Sequence, residues 1–461
     1  MESILLSVYV QAFIAAVGGG ILFTIIGIIP GTDETATMAP ITLILVLMGL
    51  PGPVLFAWFM GIIVAMQISH TVPTAMAALP GSTMAVPMVL YSSLAKRLGI
   101  PHVAMRKMAA GSMIGTICAL PVALVFALLL APVGQKISPY IGLVFTIGTI
   151  IVAYLSSAKW AAIIAIIPFA FLIQGFQRLA VEGVGHTLFI SIFMGITIGP
   201  MVSEIFTVFA PKLRDELGRD KPNEIWLAPD VKSGGLIPNP FKLVTPKQAR
   251  QVALFSSIGA CTFTFSPVGM TVMLGEIAGG RCKELYQKIT SALSVQDGVS
   301  NSTYIGEFII PLVAFAGLPL SAVAAGPGAS LFNAPPRFSV DPLNNLAQLL
   351  TLSDYIVFGI IGIVGGALFA FPIAVKKARS WTEFMFRRIS HEALIGAFLG
   401  LIFMLAFYEA GLLGIIIALA IGIFGGYLHN RFGVHTGVQF MCYYASSWLV
   451  AQLLSVVGKI V

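Results

Sequence analysis

The sequence predicts an all-α polytopic membrane protein, and three observations carry that prediction. Of the 461 residues, 57% are hydrophobic and 10% charged, and the mean hydropathy is +0.95. A soluble domain carries about 25% charged residues, so this density cannot cover a water-facing globule of such size. The second observation is where the charges fall. There are 26 Lys and Arg against 19 Asp and Glu, a formal net charge of +7, and 20 of the 26 lie within 91–107, 210–250, 279–290 and 375–391. The third is that apolar stretches of about 20 residues, the length that crosses a bilayer, separate these regions. Together they exclude a soluble enzyme, a nucleic-acid binder and a disordered chain. Basic residues in short loops orient a membrane protein, because cationic loops stay cytoplasmic. The positive charge is therefore an orientation signal and implies no nucleic-acid partner. Cys118, Cys261, Cys282 and Cys442 lie in or beside apolar segments without C-x-x-C spacing, which gives no metal site and no disulfide framework. The first apolar stretch lacks a basic n-region and an A-x-A cleavage site, so no cleaved signal is expected.

Each element follows from placing the four basic regions in the cytoplasm. Residues 12–48 are apolar but interrupted at Gly27-Ile28-Ile29-Pro30-Gly31-Thr32-Asp33-Glu34, and no Lys or Arg precedes Lys96. This predicts a re-entrant hairpin whose two ends, the N-terminus and the 49–53 turn, lie outside. A broken segment, 54–90, then crosses inward. Between basic regions the number of crossings is even, and four are predicted, at 108–133, 139–157, 160–176 and 187–209. The polar stretch 210–250 reads as a cytoplasmic linker. Segment 251–278 has basic regions at both ends and Phe265-Ser266-Pro267-Val268-Gly269 in its middle, which predicts a second hairpin opening to the cytoplasm. A broken segment, 295–332, crosses outward. Four more spans follow, at 353–373, 392–408, 411–428 and 434–456, and place the C-terminus outside as well.

Each half thus reads as a hairpin, a broken helix and about four spans, in opposite orientation. The domains are 1–210, a first repeat, and 251–461, a second, inverted repeat, joined by 211–250. Leu79-Pro80-Gly81-Ser82 and Leu318-Pro319-Leu320-Ser321 sit at equivalent places, as do Pro30-Gly31 and Pro267-Val268-Gly269. Paired, Pro/Gly-interrupted segments in inverted repeats point to the binding site of a secondary transporter.

Unwound backbone at membrane depth must be buried in protein or line a cavity. Half-helix N-termini there suit a carboxylate, and unwound carbonyls suit a cation. The loops expected to form one site are 30–35, 69–82, 266–270 and 300–303 with 317–321. Candidate solute contacts are Pro30, Gly31, Thr32, Ser69, His70, Pro80, Gly81, Ser82, Asn301, Pro319 and Ser321. Intramembrane carboxylates are functional candidates by default. Asp33 and Glu34 are accordingly read as ion-coupling, with helix capping as the alternative. Asp297 and Glu307 bracket Ser300-Asn301-Ser302-Thr303, a cluster of the hard oxygen donors that Na⁺ prefers. Ser300, Asn301, Ser302, Thr303 and Glu307 complete the ion-coupling set, with Na⁺ at Asp33, Asn301 and Thr303 as one arrangement. His70, between Ser69 and Thr71, reads as either a structural histidine or a proton carrier, and Gln67 is similar. Glu276, Glu204 and Glu409 are expected at solvated or interfacial positions. Gly111-x-x-x-Gly115 and Gly396-x-x-x-Gly400 are common helix-packing spacings.

The order Gly27-x-x-Pro30-Gly31, Met60-Gly61, Ser69, Leu79-Pro80-Gly81-Ser82 and Lys96-Arg97 resembles the large membrane subunit of tripartite tricarboxylate transporters. Ser300-Asn301-Ser302 stands where that family has an Asn-rich stretch, followed by Leu318-Pro319, and the resemblance covers about 12–450. It implies a permease of a bacterial or archaeal inner membrane importing small carboxylates with cation coupling. It also implies a small four-helix membrane subunit and a periplasmic solute-binding protein as partners. By the same resemblance Pro30, Gly31, Pro80, Gly81 and Ser82 surround the solute. The sequence departs from the family pattern at Thr32-Asp33-Glu34, at Pro267-Val268-Gly269 and at Pro319-Leu320. Two added carboxylates near the site argue against a tricarboxylate unless a cation or proton intervenes.

The expected function is a secondary active transporter moving a small solute by alternating access, in an elevator-like movement, coupled to Na⁺ or H⁺ and without another cofactor. A cationic or zwitterionic solute, bound by Asp33 and Glu34, is the alternative. Homo-oligomerisation is left open. An intramembrane aspartyl protease would need facing carboxylates, such as Asp33 with Asp297 or Glu307, but no G-x-G-D or H-E-x-x-H motif accompanies them, and no enzymatic activity is expected.

Overall fold

The structure is a computed structural model that describes residues 2–28, 45, 49–78, 81–132, 136, 140–156, 158–188, 190–199, 228, 229, 237–262, 267–314, 346–388, 391–434 and 436–460. An apolar chain in lipid must satisfy its backbone polar groups internally, and helices do so within one segment. In order the helices are α1 (Glu2–Ile28), α2 (Gly52–Ser69), α3 (Thr71–Ala77), a 3₁₀ turn (Thr83–Met88), α4 (Val89–Arg97), α5 (Pro101–Leu130), α6 (Ile141–Leu155), α7 (Trp160–Val184), α8 (Ile190–Ile198), α9 (Pro240–Leu243), α10 (Pro246–Ala260), α11 (Pro267–Gly280), α12 (Leu285–Ala314), α13 (Leu346–Leu349), α14 (Leu352–Lys376), α15 (Ala378–Arg388), α16 (His391–Phe432) and α17 (Thr436–Ile460). Among the described residues seven helices are long and apolar enough to cross a membrane, lying in α1, α2–α3, α5, α7, α14, α16 and α17. The protein is an all-α polytopic membrane protein.

Two compact units divide the chain, and each draws on both halves of the sequence. The first comprises Met1–Ser138 and Trp226–Met385, the second Pro139–Ile225 and Phe386–Val461. In the first unit, 89% of the apolar window of α2–α3 is buried, against 33–50% for the other six spans, so this helix pair is the unit's axis. α12 is equally enclosed, from Ile289 to Ile310. It packs chiefly on α5, and also on α10 and α11, while α2 packs on α1 and α14.

Lipid gives helices no hydrophobic reason to associate, so close packing of small residues does the work. A Cβ built at Gly111 would meet the Ser294 backbone, and one at Gly115 the Gly298 backbone. Correspondingly, Gly362 faces Ala57 and Met60, and Gly366 faces Gly61. The two seams keep constant offsets. Ala57 and Ser294, like Gly61 and Gly298, stand 237 positions apart, while Gly111 and Gly362, like Gly115 and Gly366, stand 251 apart. A Gly-x-x-x-Gly spacing read as unspecific thus forms close backbone contacts in the unit.

In the second unit α17 lies against α6 and α7, and α16 against α7 and α8. Helix α16 is broken where the sequence placed a boundary between spans, with non-helical Ala410 and Gly411 at φ +60°. The Glu409 carboxylate accepts from the Ser191 backbone N–H at 2.7 Å and from Ser191 Oγ at 2.6 Å. It thereby satisfies an otherwise free amide at the N-terminus of α8. Glu409 is half-buried.

Three expectations are corrected. First, 300–303 is not unwound, because α12 is continuous from Leu285 to Ala314. Ser302 Oγ and Thr303 Oγ1 donate to the carbonyl of Val299 at 3.0 and 2.8 Å, and such back-bonding leaves a helix intact. Second, the basic region 91–107 is not all loop. Arg106 and Lys107 lie within α5 and are buried. Arg106 Nε donates to Val375 O at 3.0 Å and Lys107 Nζ to Gln248 Oε1 at 2.8 Å. Third, the first hairpin arm starts at Glu2 rather than 12, and α1 is long enough to cross unaided. Its described part reaches Ile28, and the rest of the expected interruption lies outside the described residues. Segment 251–278 forms two helices of 15 and 14 residues, α10 and α11, each too short to span and each packed on α12.

Candidate functional site

The site is built where α2–α3 gives way to the 3₁₀ turn. Pro73 lacks an N–H and cannot bond the carbonyl four residues earlier, and His70 marks the junction of α2 and α3. Ala78 ends α3 in the left-handed conformation at φ +56°. The chain then doubles back so that Gly81 presses on the His70 backbone, where any Cβ would collide. The Thr74 hydroxyl pins this return, donating to His70 O at 2.8 Å and accepting from the Gly81 N–H at 3.1 Å.

This fold of the backbone sets His70 between two partners. Its Nδ1 lies 3.2 Å from Ser82 Oγ and its Nε2 lies 3.2 Å from Asp297 Oδ1. Asp297 belongs to α12, so the imidazole joins a break in the first half of the sequence to a helix of the second. All three side chains are shut off from solvent. One turn further along α12, Ser300 Oγ donates to Gln67 Oε1 at 3.1 Å. Asn301 Nδ2 donates to Thr116 Oγ1 at 2.6 Å and Ser112 Oγ at 2.9 Å. Gln296 Nε2 donates to Pro87 O at 3.2 Å.

Several acceptors in this cluster have no hydrogen-bond partner among the described residues. They are Asp297 Oδ2, Asn301 Oδ1 and Gln296 Oε1, and further along α12 both carboxyl oxygens of Glu307 are alike. Buried polar atoms are normally satisfied, so these stand out. Outside the spans, Tyr91 OH donates to Glu276 Oε2 at 3.1 Å. Burial chiefly, with Glu276 adding to it, pushes the Tyr91 phenol well above its usual range. Glu276 is thus half-buried and paired, not solvated as expected.

The chain matches the Tripartite tricarboxylate transporter TctA family over residues 13–438. It belongs to that family. No curated protein and no solved structure matches this TctA-family chain.

The structure gathers His70, Gly81, Ser82, Ser300 and Asn301 around one buried cluster. Ser69 lies at its edge, with Oγ 3.2 Å from both Phe23 O and Met66 O. Ser302 and Thr303 turn back onto their own helix. Glu307 lies on α12 ten residues from Asp297, about 15 Å along the axis. Pro30, Gly31, Thr32, Asp33, Glu34, Pro80, Pro319 and Ser321 lie outside the described residues. Sequence reasoning missed Asp297 as a partner of the site, together with Ser112 and Thr116. The signal for Asp297 was its place one turn before Asn301. Nothing in the sequence announced that α5 would supply the two hydroxyls.

Proposed function

We propose that this chain is the large permease subunit of a tripartite importer, moving a small carboxylate across the inner membrane by alternating access coupled to Na⁺ or H⁺. The observation that carries the reading is the sealed Ser82–His70–Asp297 chain at a helix break, in a chain of a tricarboxylate transporter family. Intramembrane ionisable groups of this kind mark solute or ion pathways. The constant offsets of the two glycine seams support the inverted-repeat reading, because one packs α5 of the first half on α12 of the second and the other packs α14 of the second half on α2 of the first. The division into units supports an elevator-like movement. Hairpins, broken helices and first spans of both halves make one unit, and the remaining spans make the other. Family membership implies the small membrane subunit and the solute-binding protein as partners, and both termini are assigned to the outside.

A zwitterionic or cationic solute is the second reading, favoured by the carboxyls of Asp297 and Glu307 in the enclosed helix α12. The aspartyl-protease reading pairs Asp33, outside the described residues, with Asp297 or Glu307; Asp297 faces His70.

Uptake by proteoliposomes holding this chain and its small subunit, with the binding protein added outside, tests the proposal. Labelled citrate, succinate and ornithine would be offered under an imposed Na⁺ or pH gradient. Carboxylate uptake that collapses without one of the two gradients supports it. Ornithine uptake alone favours the second reading, and no uptake under either gradient overturns both.

A further inference from the structure

The two oxygens of Asp297 face different neighbours. Oδ1 meets His70 Nε2, while Oδ2 has no hydrogen-bond partner among the described residues. Four residues on, and therefore on the same face of α12, Asn301 repeats the pattern. Its Nδ2 is committed to α5 through Ser112 Oγ and Thr116 Oγ1, with Ser112 O at 3.4 Å. A backbone carbonyl only accepts, so this contact fixes the amide with its nitrogen toward α5 and its Oδ1 turned away. Asn301 Oδ1 is also without a hydrogen-bond partner among the described residues. Both side chains are wholly buried. The result is a carboxylate oxygen and an amide oxygen, one helical turn apart, that receive no N–H or O–H from the described residues.

We propose that Asp297 Oδ2 and Asn301 Oδ1 are two ligands of a site for a small monovalent cation, linked through His70 to the Ser82 turn. The assignment rests on the transport reading and gives its coupling ion a place. A cation held by both oxygens would take up the hydrogen-bonding capacity that the described residues leave unmet. Hard oxygen ligands suit Na⁺ rather than a soft metal. Among the described residues no cluster of three His, Cys, Asp or Glu exists to hold a divalent ion, so a single carboxylate calls for a single charge. The basic residues of α5 do not fill this role, since Arg106 donates to Val375 O and Lys107 to Gln248 and Leu243 O. The linkage matters because the other oxygen of Asp297 holds His70, whose Nδ1 meets Ser82, next to Gly81. Filling the cation site withdraws charge from the Asp297–His70 contact, and so reaches the turn assigned to the solute.

The test uses the purified full-length chain in nanodiscs, with no organic solute. ²²Na⁺ binding and the melting temperature are measured in NaCl, LiCl, KCl and choline chloride at fixed ionic strength, each at pH 6 and pH 8. A ligand bound only by the folded state raises its stability by mass action. Na⁺ is expected to bind the wild type and raise its melting temperature, with half-maximal concentration rising at least ten-fold in Asn301→Ala and Asp297→Asn. Asp297→Asn keeps the side-chain shape and decides the matter should Asn301→Ala fail to fold. An undiminished Na⁺ response in Asp297→Asn overturns the site. So does a wild type indifferent to every alkali cation, including one whose stability responds only to pH, where the proton is the occupant. Citrate uptake in proteoliposomes separates the two readings. Uptake without an Asp297-dependent cation response overturns the site alone, whereas such a response with no uptake of any solute sustains the site and overturns transport.

Discussion

Replacing Gly115 by alanine tests the helix seam on which the site depends. A Cβ at this position would lie 2.8 Å from the carbonyl carbon and the Cα of Gly298, and closer still to the Gly298 oxygen. Relaxed carbon contacts are about 3.5–4.0 Å, so α5 and α12 must separate locally by about 0.7–1.2 Å. Both contacting groups are backbone, which no rotamer change can move aside. Overpacking of this kind costs about 1–3 kcal/mol, partly offset by about 1 kcal/mol from the better helix propensity of alanine. The displacement then reaches the polar cluster. Thr116 is the next residue, and its 2.6 Å bond to Asn301 Nδ2 would stretch to about 3.3–3.8 Å, at or beyond the limit of a hydrogen bond. That loss adds about 1 kcal/mol, for a net destabilisation of about 1–3 kcal/mol. Gly175 is the matched comparison. It also lies inside a long apolar helix, α7, but nothing stands within 4 Å of its built Cβ, so Gly175→Ala should stabilise by up to about 1 kcal/mol. Thermal unfolding of both variants in the same detergent reads the difference in sign. If Gly115→Ala matches wild type within 0.5 kcal/mol, roughly the scatter of a neutral surface change, the close approach of α5 and α12 is not what fixes Asn301, and the reasoning fails.

Three further outcomes follow from single contacts. Glu307→Leu removes a buried carboxyl whose two oxygens lack hydrogen-bond partners among the described residues. It should raise the melting temperature, by an amount equivalent to about 1–3 kcal/mol, while abolishing solute uptake; a lowered melting temperature would show that Glu307 has a structural partner. Ser82→Ala removes one of the two partners of the His70 ring and should cost about 1 kcal/mol, read as a lower melting temperature, with uptake reduced more than the folded fraction. Tyr91 should make stability fall at alkaline pH. Its phenol is held above the unfolded value of about 10 by burial and by Glu276, so the unfolded chain loses its proton first and stability declines as pH rises past about 10. Tyr91→Phe should flatten that decline, and an identical pH profile in the variant would count against the Glu276 contact.

The signals that located the site and those that misdirected it differ in kind. Gly81 sat where the chain doubles back on His70, and Pro267 lies in the first described turn of α11. These are backbone constraints, carried by residues that lack an N–H or a Cβ, and they act through neighbours close in sequence. The Ser-Asn-Ser-Thr run at 300–303 was read by the same logic as an unwound loop, yet α12 passes through it unbroken. Hydroxyl and amide side chains are compatible with a helix whenever other helices or the helix's own carbonyls satisfy them. Gln67, Ser112 and Thr116 do so here from 185–233 residues away. The Asp297–His70 contact spans 227 residues and joins α12 to the end of α2, elements far apart in sequence, so no local pattern could announce it. In this chain some Pro and Gly report where the backbone turns while others, such as Gly115 and Pro121, sit inside continuous helices, and Ser, Asn and Asp report what faces what. A polar run without Pro or Gly inside it is better read as a contact surface on a continuous helix. By that rule Asp297 and Asn301 stand on one face of a continuous helix.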